Sequence, residues 1–352
     1  MRALVMVAVA TLIACGQAPA ADRGRESSGQ TAAPAALTTP RFGVAGLVPR
    51  NFPTTAPADW LELYRSFADT GGAAGVYVNW ADSAATEGKV PAAVASSFAA
   101  GREHRFTPIV ALGVARDLPG GGVTSTVDWA SPQRARFIET VTLIAREHRP
   151  AFLALGVESN RLHLSDPSAF DGFVAGYSDA YDAIKRVSPA TNVFTIFQLE
   201  LMRGRAFLMT GRESTPPHWE LLARFGTKLD VTGFTSYPFL AHQTPGEIPA
   251  DYYADAARRS PSPLALTEIG WPSGPLAGAP NSGHGGTPDE QAEFVRRFFA
   301  ITTSPRPALS LWAFPNEYGT AGPDSFASVA LRTHDGTAKP ALAAWREAIA
   351  GR

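Results

Sequence analysis

Two glutamates stand where runs of apolar residues end, and that placement is the first sign of chemistry in the chain. Glu158 closes Phe152-Leu153-Ala154-Leu155-Gly156-Val157, and Glu268 closes Leu264-Ala265-Leu266-Thr267. A buried strand has no packing need for either charge. Two carboxyl groups facing each other across a sugar suit cleavage of a glycosidic bond. One protonates the departing oxygen while the other attacks, or activates water, from the opposite side of the ring. A difference in burial would separate their proton affinities and therefore their roles. Weaker candidates for holding a sugar sit at other strand ends: Asn79 with Trp80, Gln198 with Glu200, and Trp271 just beyond Glu268. An indole at such a place can stack on the CH face of a sugar, and core packing explains it equally well.

Other chemistries find little footing. The seven histidines show no paired spacing with carboxylates that would suit a metal, and no Gly-x-Ser-x-Gly elbow is present for a serine nucleophile. No metal or cofactor is expected. Formal net charge is −1, with 31 basic against 32 acidic residues, so no basic field gathers nucleic acid.

The elements that must position the two carboxylates repeat along the chain. Strand candidates are Phe42–Leu47, Gly75–Asn79, Pro108–Leu112, Phe152–Val157, Val193–Gln198, Asp230–Tyr237, Leu264–Glu268 and Leu309–Phe314, each followed by a helical segment. Eight alternating β/α units predict one α/β domain over 41–352, a closed (β/α)₈ TIM barrel. An open doubly wound sheet is the alternative, but Gly43-Val44-Ala45-Gly46 makes a poor phosphate turn. In a barrel the reacting groups lie at the carboxyl ends of strands, where Glu158 and Glu268 fall. Strand alternation puts Glu158 on the face of Gly156 and Ala154, and Glu268 on that of Leu266 and Leu264.

Helix starts carry their own signals. Ser131-Pro132 and Asp166-Pro167 open two helices, and Thr287-Pro288-Asp289-Glu290 opens another with a capping box. Phe170, Phe173, Val174, Tyr177, Tyr181 and Ile184 fall on one helical face and read as core. Lys339-Pro340 leads into the last helix, with Trp345 closing the ring. Asn281-Ser282-Gly283-His284-Gly285-Gly286 reads as an ordinary surface loop.

The N-terminus is a separate matter. Leu4 to Ala14 is apolar but too short to span a bilayer, and it ends at Cys15, the only cysteine. Leu12-Ile13-Ala14-Cys15 resembles a bacterial lipoprotein cleavage box, which implies a signal over 1–14 and a lipidated Cys15. Gly16 after it is not the aspartate associated with inner-membrane retention, and the resemblance implies an outer-membrane or cell-surface address. A plain secretory signal is the alternative. Residues 15–40 then form a flexible tether, rich in Ala, Ser, Gln, Thr, Pro and Gly.

The segment Thr267-Glu268-Ile269-Gly270-Trp271-Pro272-Ser273 resembles the nucleophile segment of plant and microbial β-1,3-glucanases, within the large clan of retaining barrel glycoside hydrolases. The resemblance implies Glu268 as nucleophile and Glu158 as acid/base. It also implies Tyr237, in Ser236-Tyr237-Pro238, as an aromatic touching the nucleophile, and Trp312 as a floor under the sugar. One departure stands out: the clan has Asn before its acid/base residue and this chain has Val157, so either Asn160, two residues beyond Glu158, or another group replaces that contact, or the ring is held differently, or activity is lost. The expected partner is a polysaccharide or oligosaccharide of β-glucan or galactan type, met by a monomer that touches membrane only through its lipid. The competing readings are a carbohydrate-binding barrel without turnover and a transglycosylase using the same carboxylates. A carboxylate turned to solvent, or locked onto an arginine, would leave only a scaffold.

Overall fold

A computed structural model describes residues 37, 39–82, 87–119, 121–275, 286–318 and 326–352. The segment expected to be a lipoprotein signal, Cys15 and most of the expected tether lie outside the described residues, as do residues 281–285.

The apolar runs become barrel strands: β1 (Arg41–Val44), β2 (Gly72–Asn79), β3 (Thr107–Gly113), β4 (Phe152–Leu155), β5 (Asn192–Phe194 continued by Ile196–Gln198), β6 (Thr232–Ser236), β7 (Leu264–Ile269) and β8 (Leu309–Trp312). Every barrel pairing is parallel, and β1 pairs with both β2 and β8. The sheet order begins on the first half of β5 and ends on the second, so the break at Thr195 hides a closed ring. Backbone bonds carry the closure past that break: Ile196 N–H donates to Gly156 O at 3.2 Å, and Asp230 N–H donates to Val193 O at 3.0 Å. The chain is a (β/α)₈ barrel, the α/β architecture expected from the alternation. β1 approaches β2 so closely that a Cβ at Gly43 would lie 1.8 Å from the Ala73 carbonyl oxygen, which leaves glycine as the residue that fits.

Local signals fix the helices around this ring. Asp166 accepts from Ala169 N–H at 2.9 Å and opens the helix Pro167–Val187. Thr287 and Glu290 exchange the bonds of a capping box at the start of Pro288–Ile301. Phe170, Phe173, Tyr177 and Ile184 are buried, while Val174 and Tyr181 pack at the margin of the core. Trp345, on the helix Pro340–Ala350, packs against Phe42 of β1 and Trp312 of β8 and donates to Thr70 O at 3.0 Å. An aromatic of that size, fully buried, contributes about 2–3 kcal/mol by removing its surface from water. It joins the last helix to the first strand.

Candidate active site

Two local irregularities, rather than plain alternation, bring the glutamates to the barrel mouth. β4 stops at Leu155. Gly156 then takes φ +87° and Glu158 takes φ +49°, so the chain turns before Glu158 caps the helix Ser159–Ser165. The alternation expected through Gly156 and Glu158 therefore does not hold. A Cβ on Gly156 would meet Phe173 Cζ at 2.6 Å, besides forcing a left-handed backbone on a side chain. Gly156→Ala is expected to destabilise the protein by about 1–2 kcal/mol, read by urea denaturation. In β7 an extra residue enters between Leu266 and Glu268, a bulge that sets Glu268 opposite Thr235 of β6. Alternation from Leu266 to Glu268 fails there too. The bulge re-aims the side chain.

Both carboxylates now lie in one polar cluster. Glu158 is 9% exposed, and its Oε1 accepts from Thr235 Oγ1 at 2.7 Å. Its Oε2 accepts from Arg161 Nη1 at 3.2 Å. The other arm of Arg161 donates to Asp117, which belongs to a hairpin, Ala115–Asp117 with Val123–Ser125, that follows β3. Burial opposes the charge on this guanidinium, but Glu158 and Asp117 outweigh it and hold the group above its ordinary value. An arginine thus does reach one carboxylate, though it is shared with a second acid.

Glu268 has a different setting. Its Oε2 accepts from the Tyr237 hydroxyl at 2.6 Å, and Tyr77 lies within hydrogen-bonding reach of the same carboxyl while donating to Thr267 O at 3.0 Å. Burial first, and the charge of Glu158 second, push Glu268 up from its ordinary 4.5 to about 7, while the two phenols pull it back. Burial and the neighbouring carboxylates raise Tyr237 and Tyr77 well above the ordinary tyrosine value, so both remain hydroxyl donors near neutrality. Since the charge of Glu158 is felt at Glu268, Tyr77 and Tyr237 alike, these four groups form one electrostatic unit.

Tyr77 escaped the sequence reading. The available signal was parity: it stands two residues before Asn79 on the same strand, on the same face. Asp117 and Arg161 were also missed. Arg161 is three residues past Glu158, one helical turn along, whereas Asp117 arrives from a hairpin that leaves no periodic trace.

Other expected sugar contacts are used up inside the protein. Asn79 Nδ2 donates to Ala115 O at 2.8 Å and its Oδ1 accepts from Ala81 N–H at 3.0 Å. Asn160 is wholly buried and brackets Gln198, donating to its carbonyl at 2.9 Å and accepting from its N–H at 2.8 Å. It braces strand ends and does not replace the contact missing at Val157. Gln198 spends its own amide on Glu200 and on Leu201 N–H. Trp80 packs edge-on against Phe137. Trp271 stacks on Phe294 with centroids 5.5 Å apart. Trp312 donates to Val329 O at 2.8 Å and packs on Trp345. All three indoles are fully buried and present no face to a ligand. Core packing, the alternative weighed for Trp80 and Trp271, is the role they take. Among the described residues no cluster of three or more His, Cys, Asp or Glu could hold a metal ion.

Neither a protein-family model nor a curated protein matches the sequence. Solved structures match the fold. One is a family 39 glycoside hydrolase from Bacteroides cellulosilyticus WH2, 16% identical with a TM-score of 0.60, covering 87% of this chain and 62% of that one. Another is GH5_18 from Streptomyces cattleya in complex with GlcNAc, 17% identical with a TM-score of 0.61, covering 89% and 80%. A third is an exo-β-1,4-mannosidase from Opitutaceae bacterium strain TAV5, 15% identical with a TM-score of 0.58, covering 91% and 61%. This chain therefore spans roughly three fifths of the first and third of these proteins. At such identities the likeness is one of fold.

Proposed function

We propose that the barrel hydrolyses a β-linked polysaccharide or oligosaccharide, of β-glucan or galactan type, by a retaining double displacement. One observation carries the reading: Glu158 and Glu268, 110 positions apart in the chain, converge at the ends of β4 and β7 with a tyrosine hydroxyl on Glu268. The glycoside hydrolases and the mannosidase that share this fold add support. Glu268 as carboxylate attacks the anomeric carbon while Glu158 gives its proton to the departing oxygen, and a glycosyl ester forms on Glu268. Water then attacks the same carbon, Glu158 takes the proton, and Glu268 is released as carboxylate. The Tyr237 hydroxyl orients Glu268 for the attack.

A panel of β-linked polysaccharides, read by new reducing ends, product lengths and the anomer formed first, tests the proposal. Cleavage with the β-anomer appearing first is expected. Products longer than the substrate would indicate transfer to a second sugar instead. The Arg161 contact on Glu158 and the Val157 departure favour a second reading, a carbohydrate-binding barrel without turnover. Binding of an oligosaccharide with no bond broken across the whole panel would select it.

A further inference from the structure

Glu200 is a fully buried acid that the proposed reaction does not use. It lies just past β5 in the short helix Leu199–Met202. Its carboxylate receives four donors: Gln198 Nε2 at 2.5 Å, Tyr252 hydroxyl at 2.8 Å, Ser236 hydroxyl at 3.0 Å and the Tyr237 backbone N–H at 3.0 Å. Taking a carboxylate out of water is costly, and an apolar side chain would fill the same space without that cost. Burial accordingly raises its pKa, and the surrounding donors pull it back.

The direction of two of those donors says what the acid holds. Ser236 and Tyr237 are consecutive, at the point where β6 ends and the chain turns toward Pro238. Pro238 has no N–H to tie this turn down from its own side. The Tyr237 ring leaves the turn and places its hydroxyl 2.6 Å from Glu268, with Phe326 and Phe239 edge-on against the ring. A continuous path thus runs from Glu200 through the Tyr237 backbone to the carboxyl proposed as nucleophile. We infer that Glu200 is a positioning residue that fixes the Tyr237 backbone so that its hydroxyl donates to Glu268. The inference deepens the proposed function, since it concerns the same site, but its test needs no substrate.

The test is the titration of Glu268 in the full chain carrying ¹³C-labelled glutamate carboxyls, with its resonance assigned by its loss in Glu268→Gln. The other titratable groups facing Glu268 are Glu158, Tyr77 and Tyr237, and all remain in place in the Glu200 variants. Tyr237→Phe removes a donor that favours the charged form, and an upward shift of about half a pH unit or more is expected. Glu200→Ala is expected to move the midpoint the same way. Glu200→Gln should keep the wild-type midpoint, because its amide oxygen still accepts from the Tyr237 N–H while the Ser236 and Tyr252 hydroxyls rotate to face its NH₂. Should Glu200→Ala fail to fold, Glu200→Asp, which withdraws the carboxylate by one methylene, is expected to give the upward shift. An unmoved midpoint in whichever of these two variants folds overturns the inference. A Glu200→Ala or Glu200→Asp shift that adds in full to that of Tyr237→Phe overturns it as well, since the path would not run through Tyr237. Failure here leaves the hydrolase reading standing, and an inactive protein leaves this titration readable.

Discussion

Glu268→Gln is expected to lower turnover of whichever β-glycoside the protein cleaves by about 10²–10⁴-fold, whatever the leaving group. Glutamine fills the same space and its amide oxygen still accepts from the Tyr237 hydroxyl, so a folded but inactive protein is the expected product. Glu158→Gln should cost a similar factor on a natural sugar leaving group, whose oxygen needs a proton as the bond breaks. On an activated aryl glycoside that loss should shrink in the first step, because such a leaving group departs without help. The contrast separates the roles: in the first step Glu268 stays essential on both substrates, Glu158 only on the basic one. The pH profile gives an independent check. Glu268 is pushed up to about 7 beside the charge of Glu158, so the two carboxyls share a single proton as pH approaches 7, and kcat/KM should fall as that proton is lost near 7. A profile still rising through 7 would show that Glu158 keeps a proton of its own there. Wild-type turnover in both variants would end the hydrolase proposal.

The parts of this site that could be read from the residues are those set by local rules. Apolar runs, caps and their spacing report eight β/α units because each signal is satisfied within a few residues. The two glutamates stand out for the same reason, each being the first charge after a buried run. What the sequence hides is the phase of the chain beyond the strand. Gly156 at φ +87° and the bulge before Glu268 each break the two-residue repeat, and a pattern of apolar letters records neither. The indoles show the complementary failure. Trp80, Trp271 and Trp312 sit at strand ends, which are near the mouth, yet each faces the helices around the barrel and not the opening. Asn79 and Asn160 likewise bond neighbouring segments, a demand created by tertiary closure and invisible along one strand, while Gln198 caps the short helix that follows it. Tyr77 and Thr235 reach the carboxylates, and Asp117 reaches Arg161, from three separate strands or loops, so only the closed ring assembles them.

Glu268→Gln is also expected to make the fold more stable, by an amount that grows with pH. In the native protein Glu268 holds its proton up to about 7, against an ordinary 4.5 in an open chain. The native state therefore binds that proton more tightly than the unfolded state does. This preference contributes in full below pH 4.5 and is lost as pH rises toward 7, because the buried carboxyl must then ionise beside Glu158. A shift of this size corresponds to about 3 kcal/mol, reduced to about 2–3 kcal/mol because Glu268 keeps some contact with solvent. Glutamine does not titrate, so its stability relative to wild type should climb by about that amount between pH 4.5 and pH 8 and then level off. Denaturant midpoints of the two proteins at a series of pH values give the difference directly, and groups titrating elsewhere cancel in it. A difference that stays flat across this range would show that Glu268 ionises as easily in the fold as outside it. Removing the repelling charge with Glu158→Gln should flatten part of the slope, since that charge is the second cause of the shift. The charge that weakens the fold above pH 7 is the same one the proposed attack requires, so stability and turnover should move in opposite directions at this position.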